Sequence, residues 1–185
     1  MDARVTSLAT IEAAIWGELE RAVADTEHPW RTPVLATIAH DVADARTVVL
    51  REEDVRQRQL LIYTDERAGK VGQLTRHPLG TLVMWSATLG WQLRCRVHLA
   101  LEMSGLAASS RWARIKLSPA AQDYLSPLAP GTPVEQPDAV HIATVERQYF
   151  SVICADVLSI DWLELHAQGH RRARLVPGAS SWLAP

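Results

Sequence analysis

The chain has 185 residues, 48% of them hydrophobic and 22% charged, with a formal net charge of −2. These values are typical of one globular domain over residues 1–185, and they exclude intrinsic disorder, which needs few apolar residues and a large net charge. The acidic balance also disfavours a nucleic-acid partner, and no apolar run approaches the roughly 20 residues that span a bilayer.

The N-terminus and the cysteines indicate the compartment. Met1–Arg4 includes an acidic residue and opens no apolar segment, so we expect no signal peptide. Cys95 and Cys154 lie far apart in apolar alternating segments and form no CxxC motif. We predict that both are reduced core residues of a cytoplasmic protein.

The first predicted element is a helix within residues 1–28. Apolar residues recur at steps of three and four between Leu8 and Val23, which is the period of a helix with one buried face. Thr6 or Ser7 can cap its N-terminus, and His28-Pro29 ends it.

Three strands are predicted after this helix. Turns at His40–Asp44 and Glu52–Asp54 separate them, and such spacing favours an antiparallel meander. The three strands are Pro33–Ile38, Arg46–Arg51 and Gln59–Thr64.

A short helix and two further strands come next. Asp65 can cap a helix from Glu66 to Arg76. The fourth strand is Leu79–Trp85. In Trp91–Leu99 apolar and polar residues alternate, which predicts a strand with one buried face.

The C-terminal half is predicted to insert two helices within residues 109–125 before the last strands. Six or seven strands with inserted helices favour a mainly β fold (β+α), a closed or partly closed antiparallel barrel with peripheral helices. The two predicted helices are Ser109–Leu117 and Pro119–Leu125, and the proline-rich loop is Leu128–Asp138. The last two predicted strands are Tyr149–Ile160 and His170–Val176.

Familiar catalytic and metal motifs are missing from the sequence. His166 and His170 are four residues apart, but in a strand and turn they need not share a face, and there is no HExxH or zinc-type Cys/His cluster. There is also no GxSxG, GxGxxG or GxxxxGK[ST] motif. We therefore expect no metal site and assign no catalytic side chain.

Basic residues carry more information. Each of three groups can be a solvated surface charge, but three groups in a net-acidic chain favour one phosphate site. One group lies in the first turn of a predicted helix, where backbone N–H groups and the macrodipole also favour an anion. The groups are Arg46 with Arg51, Arg67 with Lys70, and His170 with Arg172 and Arg174.

Several segments occur in a specific order and spacing. They are Arg46–Arg51, Tyr63-Thr64-Asp65 followed by Lys70, Trp85 with Gln92 on the next strand, Ile160–Leu163, and His170–Arg174. In this order they resemble the pyridoxamine-5′-phosphate-oxidase-like family of FMN-binding split barrels. The resemblance covers about Pro33 to Pro185, most of the chain.

The resemblance implies an FMN cofactor held at the interface of a homodimer. Arg46 and Lys70 would bind the FMN phosphate, and Tyr63 and Thr64 would contact the ribityl phosphate. The family's Ser-Arg-Lys is Ala68-Gly69-Lys70 here, so Arg67 would supply the missing guanidinium. The resemblance also implies that the backbone of Thr47, Val48, Val49 and Leu50 lies beside the flavin, with Arg51 next to it. Gln92 would reach the flavin ring. The partner subunit would contribute Trp162 and either Arg172 or Arg174.

The substrate side departs from the family's pattern. Trp112, Lys116 and Ala120 stand where the oxidase has the tyrosine, arginine and serine that hold the substrate phosphate. On one helix they would form a stripe. We therefore expect weak or no oxidation of pyridoxamine phosphate and a flatter, more apolar donor against Trp112, unless Trp112 packs in the core. The candidate substrate-binding residues are Arg51, Trp112, Lys116 and His170.

Three hypotheses for the function follow. The first is an FMN-dependent oxidoreductase that passes a hydride from a small donor to FMN. The second is a flavin-binding carrier or sensor without turnover, and the third is a small protein-interaction barrel. One geometric difficulty remains: Arg46 and Arg51 are five residues apart, so a straight strand places them on opposite faces unless it bulges or ends between them.

Overall fold

The structure is a computed structural model that describes residues 7–136 and 149–185. Helix α1 (Leu8–Ala24) begins after Ser7, whose Oγ accepts a hydrogen bond from the backbone N–H of Thr10 at 3.1 Å. Its buried face, which includes Ile11 and Leu19, packs against the barrel. The predicted N-terminal helix and its serine cap are confirmed.

The described strands number nine, where six or seven were expected, and every pair is antiparallel. The predicted mainly β fold with peripheral helices is confirmed. The strands are β1 (Val34–Ala39), β2 (Val42–Thr47), β3 (Leu50–Asp54), β4 (Gln59–Asp65), β5 (Leu79–Ser86), β6 (Trp91–Glu102), β7 (Phe150–Glu164), β8 (Arg171–Leu175) and β9 (Ser181–Leu183).

The sheet closes on itself at a seam between β2 and β3. Its order is β2-β1-β5-β6-β7-β4-β3, with β8 paired to β7 and β9 to β8. The two ends of this order are consecutive in the chain and are joined by Val48 and Val49. The N–H of Val48 bonds the carbonyl of Pro33, and the N–H of Leu50 bonds that of Arg31, each at 2.9 Å. These two bonds continue the pairing of β2 with the β1 segment across the junction and into the start of β3.

The prediction of one strand over Arg46–Arg51 was wrong. Its first half belongs to β2 and pairs with β1, whereas its second half belongs to β3 and pairs with β4. The predicted turn Glu52–Asp54 was also wrong, since these residues continue β3. Both errors have one cause: a change of hydrogen-bonding partner leaves no mark on a local apolar pattern.

A β-bulge resolves the spacing of the two arginines. Leu50 pairs with Ile62 and Glu52 with Leu61, so Arg51 is the extra residue of the bulge. A bulge bends its strand and redirects a side chain. Together with the break at the seam, it removes the strict alternation that would have placed Arg46 and Arg51 on opposite faces.

The helices after the seam have other bounds than predicted. Helix α2 (Gly69–Arg76) begins after Ala68, which makes no side-chain cap, so the predicted cap at Asp65 was wrong. Helix α3 (Leu106–Ile115) is followed by a 3₁₀ helix, Pro119–Tyr124, where two α-helices were expected. Part of the predicted loop Leu128–Asp138 lies outside the described residues.

Two apolar clusters flank the sheet. The main one fills the barrel and includes Cys95, and the smaller one lies under α3 and includes Phe150 and Cys154. Both cysteines are free and buried as predicted, and burial raises their thiol pKa to about 12 for Cys95 and about 11 for Cys154. No helix of the described residues is long and apolar enough to cross a membrane.

Candidate functional site

A pocket of about 230 Å³ opens at the barrel seam. It is bounded by the β2–β3 junction, the end of β4, the start of α2 and the 3₁₀ helix. Seven residues predicted to bind FMN or substrate line it: Thr47, Val48, Val49, Arg51, Tyr63, Thr64 and Lys70. The other lining residues are Asp65, Ala68, Asp123, Tyr124 and Pro130.

Lys70 is the cation at the entrance to α2. Its side chain is half-buried in the second position of the helix. Burial, and secondarily the positive charge of Arg46, lowers the pKa of the Lys70 ammonium, while Asp65 opposes this shift. A partly desolvated cation beside free helical N–H groups is suited to an anionic ligand group.

Arg46 lies next to this site but faces α2 rather than the pocket. Its guanidinium donates to the hydroxyl of Thr37, to the carboxylate of Asp44, and at 2.8 Å to Oε1 of Gln73. Gln73 in turn donates to Asp44 at 2.7 Å. This network fixes the guanidinium close enough to Lys70 to influence its pKa, so Arg46 supplies positive potential from behind the pocket.

Arg51 is the second cation of the pocket. Its Nε is buried and has no hydrogen-bond partner among the residues that the structure describes. The guanidinium lies 5.7 Å from the centre of the Tyr63 ring. Burial raises the pKa of the neighbouring Tyr124 phenol, and the charge of Arg51 partly offsets the rise. An unpaired buried donor beside a phenol leaves unused capacity to bind an acceptor.

Tyr63 presents its ring, not its hydroxyl, to the pocket. The hydroxyl donates to Oε1 of Glu52 at 2.5 Å. Glu52 also accepts Nε of Arg111 at 3.1 Å, and Arg111 reaches Glu102 at 3.3 Å. Burial, and then Glu52, raises the pKa of the Tyr63 phenol, so it stays protonated. The network ties α3 to β3, β4 and β6 behind the pocket wall.

Arg67 does not line this pocket, contrary to the prediction. Its Nε and Nη2 donate to the two carboxylate oxygens of Asp65 at 3.0 and 2.6 Å. The same guanidinium donates to the carbonyl of Ser126 at 2.9 Å and lies 3.3 Å from the centre of the Tyr149 ring. Arg67 therefore fastens the loop after the 3₁₀ helix to the end of β4.

Gln92 and the two predicted C-terminal arginines lie elsewhere in the protomer, on the outer face of the sheet. Gln92 lies opposite Trp85 and is half-buried. Arg172 donates to both carboxylate oxygens of Asp161 at 2.9 and 2.8 Å. Arg174 is exposed and lines a second pocket of about 430 Å³, which also contains Arg94 and Arg96.

Trp162 lies in another place than predicted, and His170 lies at the surface. Trp162 is fully buried in the barrel core, so its ring cannot reach a ligand outside the fold. His170 is exposed before β8, and its Nδ1 accepts the backbone N–H of His166 at 3.1 Å. No cluster of three or more His, Cys, Asp or Glu side chains in the described ranges could hold a metal ion.

The predicted substrate stripe does not form on one helix. Helix α3 ends at Ile115, Lys116 is exposed at its C-cap, and Ala120 belongs to the 3₁₀ helix. The centre of the Trp112 ring lies 5.5 Å from that of Phe150, so Trp112 packs in the smaller apolar cluster. Core packing of Trp112 was the alternative to a substrate contact.

Sequence reasoning missed the residues that close the pocket on this side. Tyr124, Asp123 and Pro130 come from the insertion between β6 and β7. Tyr124 packs at 5.2 Å from Phe150, and its carbonyl accepts the N–H of Tyr149 at 3.1 Å. Only one weak signal marks Tyr124 in the sequence: it is an aromatic residue in a polar turn.

Comparison with known proteins agrees with this geometry. Residues 6–101 match the model of the pyridoxamine 5′-phosphate oxidase FMN-binding domain. No curated protein sequence matches the chain.

Two solved structures share the fold over nearly the whole chain. A pyridoxamine 5′-phosphate oxidase-related, FMN-binding protein from Nostoc punctiforme is 25% identical, with 97% of this chain and 99% of that chain covered and a TM-score of 0.73. PhzG from Burkholderia lata, solved with tetrahydrophenazine-1-carboxylic acid, is 14% identical, with 100% and 95% covered and a TM-score of 0.75.

Proposed function

Because the chain belongs to the pyridoxamine 5′-phosphate oxidase family of FMN-binding domains, we propose that it is an FMN-dependent oxidoreductase acting on a small donor. One observation carries the proposal: the seam pocket gathers seven of the residues expected at the flavin, although they come from three separate segments. Such a gathering is expected of a cofactor site and not of scattered surface charges.

The pocket has the chemistry that a flavin phosphate requires. Lys70 offers a partly desolvated ammonium, and Arg46 adds positive potential from its fixed position. Arg51 offers a buried Nε without a partner in the described residues. Charge-assisted hydrogen bonds to phosphate are among the strong ones. The backbone of Thr47 to Leu50 forms the wall beside which the flavin ring would lie.

The protein's contribution to the reaction is binding, orientation and electrostatics. When bound, FMN supplies the hydride chemistry, since flavins accept a hydride at N5. The cations at the pocket would hold the phosphate, and the backbone at the junction of β2 and β3 would help to exclude water from the cofactor. Arg51 and the Tyr124 phenol, which also line the pocket, would orient a hydrogen-bond-accepting group of the electron donor.

We also propose that the functional unit is a homodimer in the cytoplasm. Within one protomer, Gln92, Arg172 and Arg174 lie outside the described lining of the seam pocket. A two-fold pair would bring the partner's Gln92 and one of its two arginines to the cofactor. Both cysteines are free and buried, as expected in a reducing compartment.

Pyridoxamine phosphate is not the expected donor. Lys116, the one cation left at the family's phosphate-holding positions, is exposed at the end of α3 and is not among the described residues of the pocket lining. The loss of an arginine and a hydroxyl removes hydrogen bonds that contribute roughly 0.5–3 kcal/mol each. A catalytic efficiency for pyridoxamine phosphate of about 10⁴ M⁻¹s⁻¹ or more would contradict this expectation.

The deciding experiment identifies the cofactor and then its electron donor. We expect the purified protein to be yellow and to release FMN on denaturation. Anaerobic mixing with NADH, NADPH, pyridoxine phosphate and a panel of flat aromatic donors should bleach the flavin with at least one of them. A flavin that stays oxidised with every donor would indicate a carrier or sensor, and a colourless protein that takes up no FMN would exclude both flavin functions.

A further inference from the structure

Four tryptophans form a row through the barrel. The ring centroids are 6.5 Å apart between Trp30 and Trp91, 5.4 Å between Trp91 and Trp162, and 6.5 Å between Trp162 and Trp182. All three separations lie within the range of direct aromatic contact. The chain has seven tryptophans and one phenylalanine, and the proposed flavin site accounts for none of the four in the row.

The row connects the pocket wall with the surface. Trp30 is fully buried and precedes Arg31, whose carbonyl accepts the N–H of Leu50 at the seam. At its inner end, the row is therefore one residue along the chain from a backbone hydrogen bond at the seam. At the outer end, Trp182 on β9 is 47% exposed.

The indole N–H groups differ along the row in a way that matters for oxidation. Nε1 of Trp30 and Nε1 of Trp162 are buried without a hydrogen-bond partner in the described part of the chain. An oxidised indole at these positions has no acceptor for its proton, so the positive charge stays mobile. Nε1 of Trp91 donates to Glu164 at 3.4 Å, and Glu164 is held by Arg171 at 2.7 and 2.8 Å. Trp182 is the most exposed of the four and can release its proton to water.

We propose that this row carries an oxidising equivalent away from the cofactor pocket to the protein surface. The inference rests on the proposed flavin site. The oxidant is bound flavin excited by blue light, which takes one electron from Trp30. Electrons then move inward from Trp91, Trp162 and Trp182 in turn, and Trp182 loses its Nε1 proton to water. Indole is the most easily oxidised of the aromatic side chains, which makes each step feasible.

Dioxygen completes the balance. It takes the extra electron from the flavin and becomes superoxide. Superoxide and a proton then combine with the neutral Trp182 radical to give a tryptophan hydroperoxide. The net change is the addition of one dioxygen molecule to Trp182, with the flavin returned to its starting state. The row would thereby divert damage from the pocket to a peripheral side chain.

Light-driven oxidation of the FMN-loaded protein tests this route. The protein is illuminated with blue light in air, digested, and mapped by mass spectrometry. We expect oxidation products at Trp182 that depend on light and on bound FMN. The Trp91→Phe variant keeps Trp182 but interrupts the row, so its Trp182 oxidation should fall to that of the dark control. Met103 is 56% exposed and outside the row, so its oxidation reports an oxidant that diffuses through solution.

Two results would overturn the inference while leaving the flavin site intact. One is equal oxidation of Trp182 in the original protein and in Trp91→Phe. The other is light-dependent oxidation of Met103 to the same extent as Trp182, which would indicate a diffusing oxidant. The Trp30→Phe variant interrupts the inner end and replaces Trp91→Phe if that variant does not fold. A chain that takes up no FMN overturns the proposed function and this inference together.

Discussion

At the residue scale, some cations of this chain are already paired with a carboxylate, and others can still bind an anionic ligand. Arg67 is paired with Asp65, and Arg172 with Asp161, by two hydrogen bonds each. Lys70 and Arg51 are buried in part and face the seam pocket. Since a paired guanidinium gains little from a further anion, the two pocket cations should dominate ligand binding.

The first prediction concerns the phosphate cations. Lys70→Ala should weaken FMN binding about tenfold to a hundredfold, since a charge-assisted hydrogen bond contributes roughly 1.5–3 kcal/mol. Arg46→Ala should weaken it less, because Arg46 is held by Asp44 and Gln73 and adds only positive potential. Fluorescence titration of the apoprotein measures this. Riboflavin, which lacks the phosphate, should bind less tightly and respond little to either change. Arg76→Ala, in the last turn of α2 and exposed, is the matched control. Equal binding of riboflavin and FMN would contradict the assignment.

The lowered pKa of Lys70 predicts a pH dependence of FMN affinity. The phosphate binds the ammonium form, so affinity should fall as pH rises through the pKa of Lys70, which burial holds below its usual value. Lys70→Arg should bind FMN without this alkaline loss, because a guanidinium does not titrate there. Titrations at a series of alkaline pH values separate the two proteins, and parallel curves would refute the role of Lys70.

A third prediction separates the role of the Tyr63 hydroxyl from that of the Tyr63 ring. Tyr63→Phe removes the hydrogen bond to Glu52 and keeps the ring in the pocket. Unfolding in urea should show a loss of about 1.5–3 kcal/mol, the range for hydrogen bonds to charged groups. FMN affinity should stay unchanged. Weaker FMN binding with unchanged stability would instead show that the hydroxyl binds the ligand.

At the element scale, the position of the site depends on junctions between strands. The break at Val48–Val49 and the bulge at Arg51 turn the chain from one end of the sheet to the other. The turn between β5 and β6 is a second tight junction. Gly90 there has φ of +65°, and its carbonyl accepts the N–H of Leu165 at 2.7 Å. Such a conformation disfavours any residue with a Cβ.

The fourth prediction compares two glycines. In Gly90→Ala, the new Cβ would lie 2.6 Å from the carbonyl oxygen of Leu165, so the turn must shift. We expect a loss of about 1–3 kcal/mol of stability. Gly72 lies inside α2, and a Cβ there meets nothing within 4 Å. Gly72→Ala should therefore gain roughly 0.5–1 kcal/mol. Urea unfolding of both variants measures the two effects, and changes of the same sign would contradict this account.

At the scale of the whole molecule, we propose that residues 1–185 form one domain, because all nine described strands belong to one sheet. The cations form two separate sites on it. One is the seam pocket with Lys70, and the other is the outer-face pocket with Arg94, Arg96 and Arg174. The described linings of the two pockets share no residue within a protomer. A two-fold pair can place the outer-face pocket of one protomer against the seam pocket of the other.

The fifth prediction follows from this separation. Sedimentation of the FMN-loaded protein should show a homodimer. Arg174→Ala should weaken FMN binding although Arg174 does not line the seam pocket of its own protomer. The surface variant Arg56→Ala provides an exposed arginine as control. A monomer with FMN fully bound would refute the shared site.

The sequence by itself determined the features that depend on local spacing. The three- and four-residue period of α1, its serine cap and the strict alternation of β6 were all readable, because each is set by neighbours along the chain. Seven of the residues that the resemblance placed at a cofactor or substrate also line the seam pocket. Both kinds of signal lie within one element or between adjacent elements.

Only the tertiary structure decided how these pieces meet. The split of Arg46–Arg51 into two strands depends on partners at opposite ends of the sheet, and no local pattern records a change of partner. The prediction that Trp162 contacts the cofactor was wrong for the same reason, since its burial is fixed by β6 and β8 on either side. Tyr124 reaches the pocket because it packs on a strand that begins 26 residues later, at Phe150. Side-chain surroundings of this kind arise from long-range packing, which the sequence does not encode in any single segment.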